Sequence, residues 1–480
     1  MARDEQIHPA DRRSGHLQMP AYVASIESND FFVGRSRSLN VVVFYDLMTA
    51  EVAILNRQAI AIAADSAVTA TTVSGGHKIF NSANKLFMLS KRHPVAVMVF
   101  GNAYFRETPW ETIIKEYRRT LGSKKFDYIS DYAEDFLRYI QDEPRISGEE
   151  SQRRYVSYIA SNLLKYNVLD KIQSRIKKHF ESIKPNPLTE SDIKKIVGDE
   201  CAVFENECKS VPINPRLQSL NKSKFNLSYK SDIERAAKQV FENLPFTAKD
   251  VSKIISALFE WLQRTNNSPI QSGVVIAGFG EAQLFPSLKS VYVDGVFLDS
   301  LRCLPHEEQT IDENMTASIV PFAQADVVSA FVEGVEPAYR RTLESYLGNL
   351  FKNYPTTLLQ AIPLEKGTDK SDLETKLREV GEKMFEDFSK KMWQFRQQNH
   401  VSPLLTTAAG LPKDELAEVA ETLVQLTSFR RRFSQDSETV GGPVDVAVIS
   451  KGDGFVWVKR KHYFDISKNL HYNRNYNDIS

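Results

Sequence analysis

Two short apolar runs separated by three polar residues constrain this chain more than anything else in it. Ala50 to Leu55 and Ala59 to Ala64 are apolar and partly β-branched, and Asn56-Arg57-Gln58 stands between them. Runs of six residues are too short for typical helices and too apolar for strands with one wet face. They predict a hairpin of two strands covered on both sides. The second run closes on Asp65, a charged residue where buried backbone ends.

The following segment keeps this grammar. Gly75-Gly76 marks a turn, and Lys78-Ile79-Phe80 and Lys85-Leu86-Phe87-Met88-Leu89 read as short extended pieces. Pro94 opens a further strand, Val95 to Phe100, which ends at Gly101. Ahead of Met48 only VVVFY, residues 41 to 45, has strand character. The basic side chains of that leading stretch are arginine and histidine, with no lysine before Lys78. Residues 1–48 are therefore read as an extension: a pro-segment, an arm, or the product of an upstream start codon.

From about residue 104 to 272 the pattern turns helical. Trp110, Ile113, Ile114 and Tyr117 fall on one face, as do Tyr132, Phe136, Leu137 and Ile140. Thr247 to Gln263 is a capped amphipathic helix. Strand character returns at GVVIAG (Gly273 to Gly278) and at KSVYVDGVFL (Lys289 to Leu298), where Asp294-Gly295 predicts a turn. A second helical block spans about 323–433, with helices at Asp326 to Leu350, Asp372 to Gln398 and Lys413 to Arg432. VGGPVDVAVI, ending at Ile449, and GFVWVKR, Gly454 to Arg460, form a closing hairpin. Residues 461–480 make a polar tail. Strands at both ends of the chain with helices between predict two packed sheets covered by helical layers, an α+β arrangement.

Composition narrows the function classes. The 480 residues carry 61 basic and 61 acidic side chains, a balance that gives no broad electrostatic footprint for nucleic acid. No apolar run approaches the ~20 residues of a membrane span, and no secretory leader is apparent. The three cysteines, Cys201, Cys208 and Cys303, do not make a disulfide framework and lack neighbouring histidines; they are expected to be unpaired thiols in a reducing, cytoplasmic setting. No cofactor or metal motif stands out.

The chemistry points to Thr49. A threonine hydroxyl is a weak nucleophile until a base takes its proton, and an N-terminal threonine carries such a base in its own α-amine, ordinarily near pKa ~8. A nearby cation is needed to depress the pKa values of both groups, and a carboxylate must hold that cation. Asp65, sixteen positions on, returns beside the start of the first strand through the hairpin; Lys85 lies on the next extended piece. Gly101 offers a backbone N–H as an oxyanion donor. Lys78 rivals Lys85 because Lys78-Ile79-Phe80 carries the same short pattern. His77 and His93 are expected to fill turn or surface positions, and Gly441-Gly442 to serve close backbone packing.

These residues resemble the proteasome β-subunit-like branch of the N-terminal nucleophile hydrolases, bacterial peptidase rings included. Thr49, the AIAAD run ending at Asp65, and KLFML beginning at Lys85 match that family's threonine, aspartate and lysine in order and approximate spacing. GVVIAGFGEAQLFPSLKSVYVDG (273–295) and VGGPVDVAVISKGDGFVWV (440–458) look like its middle and last strand pairs. The resemblance implies a four-layer αββα sandwich over 49–460, here with long helical insertions at about 104–272 and 323–433. It also implies peptide-bond hydrolysis through a threonyl ester and assembly into a homo-oligomeric ring. A partner ATPase is left open. A small-molecule amidohydrolase and an inactive scaffold are the alternatives on the same fold. The chain departs from the family at its accessory polar positions. Ser437 and Val440, flanked by Asp436 and Glu438, replace the family's Asp-x-x-Ser, and Gln324 or Ala325 stands where a serine is usual. Met48 precedes Thr49 instead of glycine. Thr49 is expected to become N-terminal by translation from Met48 and removal of that methionine, with self-cleavage or an uncut chain as the other routes.

Overall fold

The computed structural model describes residues 49–71, 77–181, 187–268, 270–363, 369–433 and 441–469. The 41–45 strand, the Gly75-Gly76 turn, Met48, Asp436 to Val440 and the end of the tail lie outside the described residues.

The predicted hairpin forms as β1 (Ala50–Asn56) and β2 (Ala59–Ala64), both buried along their whole length. Asn56 makes the turn. Its Oδ1 accepts from the N–H groups of Gln58 (2.9 Å) and Ala59 (3.2 Å), so a buried polar side chain replaces the missing ladder partners. β3 (Val68–Thr71) and β4 (His77–Phe80) pair only with each other. β5 (Leu86–Met88) and β6 (Val95–Gly101) follow, then a two-residue pair, β7 (Tyr104–Phe105) and β8 (Thr108–Pro109). After a helical stretch come β9 (Ser272–Gly278), β10 (Ser287–Phe297), β11 (Ser300–Thr310) and β12 (Ala317–Ala323). β13 (Asp445–Ser450) and β14 (Gly454–Lys459) are the last strands among the described residues.

The strands build two five-stranded antiparallel sheets, ordered β12-β1-β2-β13-β14 and β11-β10-β9-β6-β5. Period-two alternation sorts their side chains. Ala53, Leu55, Ile60 and Ile62 of the first sheet form one core with Ala96, Met98, Phe100 and Val275 of the second. The opposite face of the first sheet, Val52, Ile54, Ala61 and Ala63, packs on Leu416, Ala420, Leu423 and Val424 of the helix Lys413–Arg432. The opposite face of the second sheet packs on α1 (Trp110–Leu121) and α2 (Ile129–Asp142). The chain is thus a mixed helix-and-strand protein with antiparallel sheets, and every strand of the opening hairpin has apolar cover on both sides.

By backbone contacts the described chain divides into two compact units. Both sheets belong to the unit made of 49–155, 213–220 and 265–469. The other, 156–212 and 221–264, is helical, with Glu190–Lys209, Lys222–Phe241 and Ala248–Gln263 as its main elements. Thr247 caps the last of these as a capping box: its Oγ1 accepts from the Asp250 N–H, and Asp250 accepts from the Thr247 N–H. Cys201 and Cys208 are buried in this unit as free thiols, and burial pushes each up to about 12.

The sequence pattern misplaced one turn. Asp294-Gly295 is not a hairpin turn but a bulge inside β10. Asp294 is buried and binds the equally buried Arg302 at 2.9 Å, while Gly295 leaves room for the Tyr155 ring, which a Cβ would meet at 2.4 Å. The turn is Leu298-Asp299, both at positive φ (49° and 59°), held by Gln152, which accepts from the Asp299 N–H at 3.1 Å. The expected helix Asp326 to Leu350 is two, Ala325–Glu333 and Pro337–Ala361, broken at Gly334 with φ 72°. The next, Lys370–Arg396, and Lys413–Arg432 lie where the periodicity puts them.

Candidate active site

Thr49, Glu51 and Asp65 are within 2 % of full burial and Lys85 is 6 % exposed. The hairpin register sets Glu51 opposite Ala64, so Asp65 emerges level with Ala50, whose N–H donates to Asp65 Oδ1 at 3.2 Å. Lys85 sits one residue before β5, its carbonyl accepting from the Val99 N–H at 2.8 Å, which ties it to β6. Its ammonium is ion-paired with Asp65 Oδ1 and lies 3.2 Å from Glu51 Oε1. Glu51 Oε2 in turn accepts a hydrogen bond from Thr49 Oγ1 at 2.9 Å. Thr49, Glu51, Asp65 and Lys85 therefore form one continuous polar chain. Three of its four members are residues singled out by their sequence spacing.

Asp65 is also held from the far end of the protein. Its Oδ2 accepts from the N–H of Gly441 (3.1 Å) and of Ala67 (3.4 Å). Ser66 reaches the same segment, donating its N–H to Gly441 O at 3.3 Å and its hydroxyl to Pro443 O. Backbone donors on both oxygens and the ammonium on Oδ1 hold the Asp65 carboxylate in one position. Lys85 is a fixed cation. Burial by itself would lower its pKa, but Asp65 and Glu51 outweigh burial and leave it raised.

Glu51 is the member that sequence spacing missed. It is a charged residue at an inward position of an apolar strand, in line with Ala53 and Leu55, and that break in pattern is the signal that could have found it. Burial raises its carboxyl from the ordinary range to about 7; Lys85 opposes that rise and Asp65 adds to it. A second missed pair adjoins. Asp445, on the strand next to β2, takes both the N–H (2.8 Å) and the ammonium of Lys461. Burial lowers the pKa of Lys461, Asp445 opposes this, and the nearby Lys85 charge adds to the lowering. A depression of about 200 Å³ lies beside these residues, with Asn84, Leu86, Asp445, Trp457 and Arg460 in its lining.

Gln324, at the position where the resemblance expects a serine, donates its N–H to Thr49 O at 3.3 Å and accepts at Oε1 from Arg431 (2.6 Å). The neighbouring Ala323, paired with Ala50, has a φ of 56°, a strained value for a residue with a side chain. Gly101 ends β6 at φ 80°, two residues beyond Val99 and opposite Ser272. Phe100 beside it touches Phe322, the cross-strand partner of Glu51, at a ring separation of 5.3 Å. Lys78 lies in β4. His93 belongs to the turn before β6, 3.5 Å from Glu281 Oε1. Among the described residues no cluster of three or more His, Cys, Asp or Glu side chains is arranged to hold a metal, and no helix is long and apolar enough to cross a membrane.

No protein-family model and no curated protein matches the sequence.

Proposed function

We propose that this chain is a threonine hydrolase of the N-terminal nucleophile type, built on a four-layer αββα core and cleaving peptide bonds through a threonyl ester. The observation that carries this reading is the buried Lys85–Asp65 ion pair, linked through Glu51 to the Thr49 hydroxyl at the start of β1. Two antiparallel sheets with helices on their outer faces support the layer order.

In this mechanism Thr49 Oγ1 attacks the scissile carbonyl. On the pattern of the family it resembles, the proton is carried to the leaving amine by the Thr49 α-amine, free once Thr49 is the first residue. Lys85 supplies positive charge that favours the deprotonated forms of the amine and hydroxyl, and Asp65 fixes Lys85. The Gly101 N–H meets the oxyanion. Water then hydrolyses the ester and restores the hydroxyl. The expected substrates are peptides or proteins, with small amides as the alternative class, and the working form is a cytoplasmic homo-oligomeric ring.

Intact-mass measurement of the protein from its native cell, paired with peptide hydrolysis by wild type and Thr49→Ala, tests the reading. A chain starting at Thr49 and a dead variant support it. A chain that starts at Met1 and keeps full activity in Thr49→Ala overturns it. One observation favours a second reading, a non-catalytic scaffold: Thr49 is 2 % exposed in the full chain. Failure of Thr49 to react with an electrophilic probe in the processed protein would select that reading.

A further inference from the structure

A catalytic threonine of this type is expected to draw its base from its own nitrogen. The hydrogen bonds around Thr49 run elsewhere. Thr49 directly precedes β1, two residues before Glu51, and its hydroxyl donates to Glu51 Oε2 at 2.9 Å. We infer that Glu51 is the proton acceptor for the Thr49 hydroxyl. This rests on Thr49 being the nucleophile, and it places the base in a side chain instead of the α-amine.

The charge balance of the cluster singles out Glu51. One ammonium, Lys85, faces two carboxylates. Asp65 is bound by Lys85 and by the backbone N–H groups of Ala50, Ala67 and Gly441. Glu51 has Lys85 on one oxygen and the Thr49 hydroxyl on the other, with no backbone N–H on either. The surplus negative charge is therefore best relieved by a proton on Glu51, which has the fewer donors of the two. The other charged groups nearby are the Asp445–Lys461 pair, beside β2, and Arg431, on Gln324. From β12 the cross-strand neighbour is the neutral Phe322, with His306 of β11 behind it at 5.9 Å between rings. A carboxyl that titrates near neutrality, as burial makes Glu51 do, can both take and return a proton at working pH.

Thr49 Oγ1 forms a bond to the carbonyl carbon while its proton moves to Glu51 Oε2. When the tetrahedral adduct collapses, the carbon–nitrogen bond breaks and Glu51 returns the proton to the departing amine. In deacylation Glu51 takes a proton from water and gives it to Thr49 Oγ1. Nothing in this sequence requires a free α-amine.

A β-lactone probe tests it, because ring opening forms a stable ester on the hydroxyl and adds a fixed mass. The full chain is used, wild type against Glu51→Gln, Glu51→Asp and Thr49→Ala, with acylation rate followed by intact mass from pH 5 to 9. Wild type is expected to show a rate that rises through the titration of Glu51. Glu51→Gln should acylate about 100-fold more slowly at pH 8 and lose that rise. Glu51→Asp should be slowed on the order of tenfold and keep a displaced rise, which decides the matter if the glutamine variant does not fold. Wild-type rate and profile in either Glu51 variant, with Thr49→Ala unreactive, overturn the role of Glu51 alone. Equal labelling of wild type and Thr49→Ala overturns the threonine nucleophile itself, whereas an unlabelled full chain beside a labelled chain beginning at Thr49 overturns the role of Glu51 and returns the base to the α-amine.

Discussion

The Gly441 N–H donates to Asp65 Oδ2 at 3.1 Å, joining residues 376 positions apart in the chain. Asp65 is thus fixed by a backbone group that no substitution of a side chain can remove except proline. Gly441→Pro should lose the hydrogen bond, costing about 1.5–3 kcal/mol for a donor to a charged acceptor. Gly441→Ala keeps the N–H, and its Cβ would meet nothing within 4 Å, so it serves as the control. Denaturant unfolding of the two variants side by side measures the difference.

Removing the cation should be the most damaging single change at the site. Lys85→Met leaves Glu51 and Asp65 buried with no ammonium between them. Breaking such a buried pair costs about 3–5 kcal/mol. The loss should be smaller at pH 6 than at pH 8, because Glu51, already raised by burial, takes up the proton that relieves the repulsion. Unfolding free energies at the two pH values give the test.

The pH dependence of the wild type has a definite sign. Glu51 holds its proton up to about 7 in the folded protein but releases it near 4.5 when unfolded. Between those values the folded state binds more protons, so stability falls as pH rises through the window, on the order of 3 kcal/mol for this group. Glu51→Gln should flatten the curve between pH 5 and 7. Lys85 acts in a separate, alkaline window: its raised pKa stabilises the fold fully below the ordinary lysine value, and that stability is lost as pH climbs through the folded value.

Gly273 and Phe100 face each other across β6 and β9, and a Cβ on Gly273 would lie 2.0 Å from the Phe100 ring. Gly273→Ala should cost about 1–3 kcal/mol by overpacking. Adding Phe100→Leu should recover part of it, a coupling that a double-mutant cycle on thermal unfolding would measure.

Much of the site was legible because strand chemistry is local. A hairpin of known length fixes where its far end returns, so Asp65 could be put beside the start of β1 from spacing alone. Lys85 was recognisable as the lysine heading the short run before β6. Glu51 was hidden in plain view: inside an apolar strand it reads as an exposed face until its burial partner is known, and that partner lies 34 positions away. Asp445 and Lys461 were hidden by distance, since nothing in a polar tail announces a buried ion pair. The Asp294-Gly295 bulge was misread because turn propensity describes short-range backbone preference, whereas Asp294 answers to Arg302 and Gly295 to the Tyr155 ring. The helices were clearer in their periodicity than in their ends, and Gly334 split one of them.

The pairing order of the first sheet has a consequence for biogenesis. β1 and β2 are made early, yet their outer edges are filled by Ala317–Ala323 and Asp445–Ser450. A ribosome adding roughly 5–20 residues per second needs tens of seconds to supply the second of these. Through that interval the hairpin has open edges, a template for wrong pairing between nascent chains. The same delay keeps Asp65 without its Gly441 donor until 376 further positions have been added, so a Thr49 centre of this design comes into being long after its own hairpin has left the ribosome.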